Sequence, residues 1–489
     1  MTDPHAPSHE RAYLGVDEIL GAFDDGTLTS LSLVDTLLDR IRALDPPSSG
    51  IGLRAIAALA DDAREVASER DSERHAGIRR GDLHGVPVLV KDNIEVLGLP
   101  GTAGSTALIG RPAHDAPLVT SLRVAGAIIL GSTNLSQWAN IRSSRSTSGW
   151  SATGGLVGNP WMLDRSAGGS SSGSGAALAA GFTPLAVGTE TDGSIICPAS
   201  VNGVVGLKPT VGTVSTKGVV PISASQDSPG PMGRTVRDVA RLYCVLSATK
   251  APTPDASAAR IVFAHNWVIS HDAADSLVAS TVSQLRSSGF DIVDRYVSMP
   301  GPQAYQDELT VMLAELVDDL GTYLQGRPGP GVKSLADVVA YENAHAETEL
   351  PFFGHDFFDQ ALTLEGRAGP EYQPARERNL EWAINQALVP GIEGADVIIS
   401  SVYGPAWKSD LIVGGHPNIA SCASMAPAIA GWPVMSLPIG FVHGLPIGLA
   451  LIARPHDEWR LLDIAQQIEE ALAENVGSLL PTWISPFRG

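Results

Sequence analysis

A serine that directly follows a glycine lies inside a long stretch of small residues. The stretch, residues 168–209, is rich in Gly, Ser, Ala and Thr and has few charged residues. Small residues at this density let backbone approach backbone, or a substrate, with no side chain between them. Ser194 follows Gly193, where neighbouring backbone N–H groups can converge on one point. A nucleophile whose neighbours hold an oxyanion needs this arrangement, so the stretch predicts nucleophilic catalysis by Ser194.

Lys91 is a second residue that could do chemistry. It ends a short apolar run, residues 85–91, which predicts a buried strand. Spacing alone leaves two interpretations open, a strand end that turns into water or a catalytic base. The chain has 12 histidines, but no G-x-S-x-G turn surrounds Ser194, so the usual serine–histidine arrangement is not indicated.

The motifs around these residues resemble those of the amidase signature family of serine amide hydrolases. The shared motifs are Gly168-Gly169-Ser170-Ser171, Gly188-Thr189-Glu190, Gly193-Ser194, the GLKP sequence at 206–209 and the lysine segment at 83–94. Ser170 and Ser194 are 24 positions apart, as in the family. The similarity runs from about residue 15 to the C-terminus. Beside the two serines, a catalytic role for Lys91 becomes the favoured interpretation.

The resemblance implies a mechanism without metal or cofactor. Carried over by motif, Ser194 is the nucleophile, Ser170 is a bridging serine on a cis peptide and Lys91 is the base. The oxyanion donors are the backbone N–H groups of Thr191, Asp192, Gly193 and Ser194. Lys91 must be neutral when it accepts a proton, so burial has to lower its pKa from the usual value of about 10.4.

Two positions depart from the family pattern. Most members have glycine where this chain has Asp192, and many have arginine where it has Ile196. The Asp192 carboxylate either turns away and accepts hydrogen bonds from backbone amides or orients the substrate nitrogen. Without the arginine a cation is missing near the site, which argues against small substrates with a free carboxylate. The GTETDGS version of the motif resembles that of peptide amidases, so we expect C-terminal peptide amides or similar neutral amides as substrates.

A substrate wall is expected around the small-residue stretch. Asn134, Gln137 and Trp138 precede a loop rich in Ser, Thr and Gly at 142–159, and in the family this region resembles part of the wall. The remaining predicted substrate-binding residues are Gly168, Gly169, Ile196 and Phe353. Four phenylalanines at 350–358 are consistent either with core packing or with an aromatic rim on the pocket.

The elements that must position these residues alternate between strands and helices. Predicted strands are 85–91, 127–130, 261–264, 291–295, 396–401, 433–438 and 448–453. Predicted helices are 14–23, a second beginning near Ser30, 53–76, 118–125, 236–247 with Thr235 as cap, 272–287 and 459–472. The alternation indicates an α/β fold. The resemblance implies a large mixed twisted β-sheet sandwiched between helical layers.

We expect one domain over residues 1–489 with four parts. Residues 1–80 would form an N-terminal helical layer and 81–250 the signature core. Residues 251–395 would form a variable substrate-pocket region, and 396–489 the C-terminal part of the core.

Composition restricts the partners and the location. A net charge of −20 argues against nucleic acid, which needs clustered Lys and Arg. Three cysteines are too few for a disulfide framework, and no Cys/His cluster indicates a metal. No secretory signal or apolar membrane span is visible, so we expect a cytoplasmic monomer or homodimer with a small-molecule or peptide amide substrate.

Other functions remain open alternatives. A phosphate-binding loop would need a following Gly-Lys-Ser/Thr or a G-x-G-x-x-G that opens a helix, and the stretch has neither. An amidotransferase subunit that acts on charged tRNA shares the family fold but would need a basic surface. A non-catalytic binding protein is disfavoured by the joint presence of Lys91, Ser170 and Ser194. Within hydrolysis, aryl acylamides and carbamates are the nearest rivals to peptide amides.

Overall fold

The structure is a computed structural model of the chain. It describes residues 10–46, 52–110, 112–253, 258–328, 331–414, 421–476 and 481.

Fifteen strands occur among the described residues, and most of them belong to one sheet. They are β1 Ile56–Leu59, β2 Pro87–Lys91, β3 Ile128–Thr133, β4 Trp150–Ser151, β5 Gly155–Leu156, β6 Gly158–Asn159, β7 Met162–Ser166, β8 Leu185–Glu190, β9 Val205–Lys208, β10 Ser228–Gly233, β11 Arg260–Ala264, β12 Asp291–Arg295, β13 Val397–Ser401, β14 Val434–Val442 and β15 Leu445–Ala453.

The main sheet is mixed and has eleven strands within the described chain. Its order is β1-β3-β2-β8-β10-β9-β14-β15-β13-β11-β12. Strand β2 runs parallel to both of its neighbours, β3 and β8, and β11 runs parallel to β12 and β13. The other neighbouring pairs are antiparallel. The short strands β4–β5 and β6–β7 form two separate ladders.

Helices flank this sheet. In the described residues they are α1 Val16–Asp24, α2 Ser30–Leu44, α3 Ala63–His75, α4 Pro117–Val124, α5 Ser172–Ala179, α6 Ile196–Asn202, α7 Val236–Ser247, α8 Asp272–Ser287, α9 Pro302–Gly326, α10 Leu335–Ala344, α11 Ala346–Glu349, α12 Asp356–Ala361, α13 Tyr372–Leu380, α14 Val389–Ile392, α15 Met425–Ala430 and α16 Glu458–Val476. A π-helical segment, Glu381–Leu388, joins α13 to α14. Helices α5 and α6 pack on each other and on central strands, as do α7 and α16. The predicted α/β class with a large mixed sheet is confirmed.

Several elements agree closely with the sequence predictions. The Thr235 side chain accepts a hydrogen bond from Asp238 N and caps α7 as expected. Helices α7 and α8 and strand β12 have the predicted limits. The helix predicted over 53–76 is wrong in its first part, because β1 occupies residues 56–59 and α3 begins only at Ala63. The predicted loop at 142–159 contains β4, β5 and β6.

Within the described part of the chain, no helix is both long enough and apolar enough to cross a bilayer. The three cysteines are free thiols, and two of them, Cys197 and Cys422, are buried.

Candidate active site

Parallel pairing of β2 with β8 brings Lys91 to the end of β8. Val90 is opposite Val187 in the ladder, so both strands end at the same edge of the sheet. Lys91 is the last residue of β2, and Thr189 and Glu190 are the last two of β8. All residues of both strands are buried, the polar residues at their ends as well as the apolar residues before them. Two segments 98 positions apart therefore meet at one point.

Lys91 is completely buried among hydroxyl and carbonyl groups. Its Nζ atom donates to Ser170 Oγ at 2.7 Å, to Thr189 Oγ1 at 2.8 Å and to Thr189 O at 3.2 Å. Burial lowers the pKa of Lys91 to about 7, although the carboxylates of Glu190 and Asp227 counteract part of that effect. An amine with such a pKa is neutral in a large fraction of molecules near pH 7 and can accept a proton.

Ser170 is held by its backbone as well as by Lys91. The Gly169–Ser170 peptide bond is cis, the geometry that the family resemblance implies. Ser136 N donates to Ser170 O at 3.1 Å. A side chain at position 169 would overlap the Ser136 hydroxyl, so the close approach of these two segments requires a glycine there.

Ser194 lies next to this segment and is 8% exposed. Ser171 N donates to Ser194 O at 3.1 Å, which ties the residue after Ser170 to the predicted nucleophile. Ser171 Oγ also donates to Thr189 O at 3.1 Å. Lys91, Ser170 and Ser194 are thus brought together by bonds among three segments of the chain.

The turn between β8 and α6 carries the predicted oxyanion donors, residues 191–194, which we call the oxyanion segment. Glu190 braces this turn because its Oε2 atom accepts from Ile195 N at 2.6 Å and from Ile196 N at 2.9 Å. Gly193 has a φ of +78°, which favours glycine, and a Cβ there would overlap the Tyr403 hydroxyl. The Gly193 N–H also faces the Glu190 carboxylate. Its assignment as an oxyanion donor stays a prediction.

Asp192 projects from the oxyanion segment with one carboxyl oxygen unpartnered. The Ser424 hydroxyl interacts with the carboxyl group, and both predicted roles of Asp192, bonding to backbone amides and orientation of the substrate nitrogen, stay predictions. Burial, with the nearby Glu190 carboxylate, raises the pKa of Asp192 to about 7. The group can therefore present either a donor or an acceptor near neutral pH.

The predicted wall residues Asn134, Gln137 and Trp138 are buried and bonded within the protein. Asn134 Nδ2 donates to two backbone carbonyls, and its Oδ1 accepts from a backbone amide and a serine hydroxyl. Gln137 Nε2 donates to Glu349, and Trp138 Nε1 donates to Glu342 Oε1 at 2.9 Å. These bonds favour a structural role, and substrate binding by the three residues stays a prediction.

The other predicted substrate residues differ in burial and in their contacts, and substrate binding by them stays a prediction. Phe353 packs edge-on against Trp150, and the Arg142 guanidinium lies 4.4 Å from the Phe353 ring centre. Ile196 is fully buried in an apolar cluster, and Gly168 lies against Cys197. Of the four phenylalanines at 350–358, Phe358 is fully buried, whereas Phe352 is 40% exposed. Core packing therefore accounts for part of that segment.

Sequence reasoning missed three residues that hold the site: Asp227 and Tyr403, which lie outside its motifs, and Asn93, which lies in the lysine segment. Thr191 Oγ1 donates to Asp227 Oδ1 at 2.6 Å, and Asn93 Nδ2 donates to Thr189 Oγ1 at 3.0 Å. Tyr403 lies against Gly193. Asp227 lies in a stretch rich in turn-forming residues, and its neighbours in the sequence indicate no partner.

Comparison with known proteins identifies the class. The model of the Amidase family matches residues 32–462. The chain therefore belongs to the amidase family, whose members named below include hydrolases of amides, and the predicted enzyme class is confirmed.

Three individual proteins are similar over nearly the whole chain. The native peptide amidase of Stenotrophomonas maltophilia has a solved structure with 37% identity and a TM-score of 0.86, over 96% of this chain and 98% of that chain. A protein named as an amidase in Arabidopsis thaliana is 34% identical over 93% of this chain and 89% of its own length. A glutamyl-tRNA(Gln) amidotransferase subunit of Symbiobacterium thermophilum is 32% identical over 90% of this chain and 93% of its own length.

Proposed function

We propose that the protein hydrolyses neutral carboxylic amides, with C-terminal peptide amides as the preferred class, through Lys91, Ser170 and Ser194. The observation that carries the proposal is the 2.7 Å hydrogen bond between Lys91 Nζ and Ser170 Oγ in a fully buried setting. A charged lysine would be costly there, so the arrangement supports a base that works in its neutral form.

The reaction begins with proton transfer along the three side chains. Lys91 Nζ accepts the Ser170 proton while Ser170 Oγ accepts the proton of Ser194. Ser194 Oγ attacks the amide carbon, and the negative charge that forms on the carbonyl oxygen is held by backbone N–H groups of the oxyanion segment. The C–N bond then breaks, and the leaving nitrogen takes a proton from Ser170, which is restored from Lys91. Water, activated by the same residues, cleaves the acyl-enzyme and releases the acid.

The preference for neutral amides rests on the charges around the oxyanion segment. Ile196 occupies the position of the family's arginine and lies in an apolar cluster. Asp192, beside the predicted nucleophile, would repel a substrate carboxylate whenever it is ionised. The similarity to a peptide amidase at 37% identity supports the same substrate class.

A panel of amides tests the proposal. Purified enzyme would be given C-terminal peptide amides, anilides, carbamates and short aliphatic amides, and released ammonia or amine would be measured. We expect the highest kcat/KM for peptide amides with neutral or basic C-terminal residues, and Ser194→Ala should lower kcat by at least about 10³-fold without changing the unfolding midpoint. Turnover retained by Ser194→Ala would remove Ser194 as the nucleophile. A higher kcat/KM for anilides or carbamates would make those compounds, and not C-terminal peptide amides, the preferred substrate class.

Action on charged tRNA is a second candidate because one relative is named as part of an amidotransferase for glutamyl-tRNA(Gln). An amidotransferase passes an amide nitrogen on to an acceptor, whereas the proposal requires release of free ammonia or amine by the isolated chain. The net charge of −20 disfavours contact with tRNA. Glutamine hydrolysis that appears only with partner proteins and charged tRNA would favour this candidate.

A further inference from the structure

A carboxylate outside the signature motifs is bonded directly to the oxyanion segment. Asp227 Oδ1 accepts the Thr191 hydroxyl proton at 2.6 Å. Its Oδ2 accepts from Ile222 N at 2.8 Å and from Ser223 N at 3.0 Å. Antiparallel pairing explains the meeting, because Ser228, the first residue of β10, is opposite Glu190, the last residue of β8. Asp227 and Thr191 are the next residues outward on each strand.

Residues 222–227, which we call the support loop, are held in turn by one face of helix α9. Glu315 Oε2 accepts from Ser223 Oγ at 2.6 Å and from Ser225 N at 3.0 Å. Asp319 Oδ2 accepts from Ala224 N at 3.0 Å. Nearer the start of the helix, Glu308 Oε1 accepts from Gln226 Nε2 at 3.0 Å. The three acids are spaced by seven and four positions, which places them on the same side of the helix.

The same carboxylate also faces the region of the buried amine. Asp227, Thr189 and Thr191 line one small cavity, and Thr189 accepts hydrogen bonds from Lys91. The charged groups that act on Lys91 are Glu190 at the end of β8 and Asp227, and both raise its pKa against the effect of burial. Asp319 of α9 faces Asp227, and Lys208 at the end of β9 faces Glu190. The carboxylate of Asp92, next to Lys91 in the chain, accepts instead from Gly101 N and Thr102 N.

We infer that Asp227 is a positioning residue for amide hydrolysis, which holds the oxyanion segment through Thr191 and supplies negative charge that balances the proton taken up by Lys91. This inference rests on the proposed function. It assigns helix α9, in the variable region of the chain, a part in setting the rate of the chemical step. The link runs from α9 through the support loop and Asp227 to Thr191.

Replacement of Asp227 by asparagine tests both parts with little change in shape. Asparagine can keep its carbonyl oxygen toward Ile222 N and Ser223 N, so the loop should fold. Its amide can only donate to Thr191 Oγ1, so the bond from the Thr191 hydroxyl to a carboxylate is replaced by a weaker neutral bond and the negative charge is lost. We expect kcat to fall by about 10- to 100-fold, less than for loss of an oxyanion donor, with KM changed less than about twofold. The acid limb of the kcat/KM profile should move to lower pH, because removal of a negative charge lowers the pKa of Lys91 further.

Asp275→Asn is the matched control. Asp275 also accepts two backbone N–H bonds and one hydroxyl bond, from Ile269, His271 and Ser401, but it lies in the first turn of helix α8 instead of contacting the site. We expect this variant to show any general cost of losing a hydrogen-bonded carboxylate in its unfolding midpoint. Its kcat and the acid limb of its pH profile should match those of the wild type.

Thr191→Val separates positioning from charge. It removes the hydroxyl bond to Asp227 but leaves the carboxylate, so kcat should fall as in Asp227→Asn while the acid limb stays in place. Asp227→Glu should keep the acid limb near its wild-type position. If Asp227→Asn does not fold, Thr191→Val still tests the positioning of the oxyanion segment, and Asp227→Glu still tests the contribution of the negative charge.

The results that would overturn the inference differ from those that overturn the proposed function. If Asp227→Asn has unchanged kcat and an unchanged acid limb while Ser194→Ala is inactive, the role of Asp227 is contradicted and the proposed hydrolysis is not. A loss of activity in Asp227→Asn that is matched by Asp275→Asn would contradict that role as well. Full turnover by Ser194→Ala would remove the proposed hydrolysis, and the role of Asp227 with it.

Discussion

At the residue scale, the partners of Lys91 decide which way a proton can move. The Thr189 carbonyl can only accept, so one N–H of a neutral lysine is directed to it. Thr189 Oγ1 already accepts from Asn93 Nδ2, and it accepts a second N–H of Lys91 through its remaining lone pair. In that arrangement the nitrogen lone pair faces Ser170 Oγ, which is the group that the proposed relay must deprotonate.

Activity should therefore depend on pH through Lys91. Below its pKa of about 7 the lysine is protonated and cannot accept a proton, so kcat/KM should fall as the pH drops through that value. Above it the lysine is neutral and kcat/KM should reach a plateau. Initial rates on a neutral peptide amide, measured between pH 5 and 9, would cover about two pH units on either side of this pKa. A profile that is flat between pH 6 and 8 would contradict a base with this pKa.

The sequence predicted the residues of the candidate site only where a local motif carries them. Lys91, Ser170 and Ser194 lie in short motifs that can be read along the chain, and the structure brings these three together. Asp227 could not be predicted in the same way, because its bond to Thr191 arises from the register between two strands. Strand register depends on the whole sheet, and neither residue carries a sign of it in its neighbours.

At the element scale, the turn between β8 and α6 has little room. Gly193→Ala should cost about 1–2 kcal/mol for its left-handed backbone alone and should also push the turn away from Tyr403. We expect kcat to fall by at least about 100-fold, because the oxyanion donors move. Measurements of kcat together with thermal unfolding would separate the loss of stability from the displacement of the oxyanion donors.

Gly212→Ala is the control for backbone strain in this experiment. Gly212 has a φ of +87°, and a Cβ there would meet nothing within 4 Å. The Gly212→Ala variant should have a lower stability than the wild type and an unchanged kcat. Adding Tyr403→Phe to Gly193→Ala should restore part of kcat by removing the overlapping hydroxyl. Equal kcat losses for the two glycine variants would show that the close contact with Tyr403 is unimportant.

The segment from Gln137 to Arg142 is fastened to helices α10 and α11 by buried acids. Trp138→Phe removes the hydrogen bond to Glu342 and should lower the free energy of unfolding by about 1–3 kcal/mol, as for a bond to a charged group. KM for a peptide amide should stay within about twofold, because the indole N–H is already used inside the protein. Denaturant unfolding and steady-state kinetics would measure both. A raised KM at unchanged stability would instead support the predicted role in substrate binding.

Strand β1 shows why one element was predicted wrongly. Its sequence, Ile56–Leu59, contains two alanines and two aliphatic residues that suit a helix as well as a strand. Pairing with β3, where Ile56 is opposite Thr133, decides the outcome. Local preference is a weak guide where tertiary pairing competes with it, and α7 and α8, with clear amphipathic patterns and caps, were predicted to the residue.

At the scale of the whole molecule, we infer that the chain folds as one unit. The main sheet is continuous across the described residues, and all four parts of the predicted division contribute strands to it. Thermal unfolding followed by tryptophan fluorescence, by circular dichroism and by residual activity should give one shared midpoint. Separate midpoints, with activity lost before the fluorescence change, would indicate independent domains.

The fold class was predictable because both the strand–helix alternation and the family resemblance indicated it. The order of strands was not, since sequence spacing does not tell which distant strands become neighbours. The hairpin of β14 and β15 illustrates the point, because it lies between β9 and β13 in the sheet although it is made after both.

That hairpin has a consequence for biogenesis. While the ribosome is still adding residues 434–453, the nascent chain holds β9 and β13 with one open edge each, and such edges invite pairing between chains. The sheet becomes continuous only after β14 and β15, its last-made strands, pair between β9 and β13. We therefore expect refolding to be slow and to depend on protein concentration. Protein yield in a heterologous host should rise with co-expressed chaperones that shield those edges.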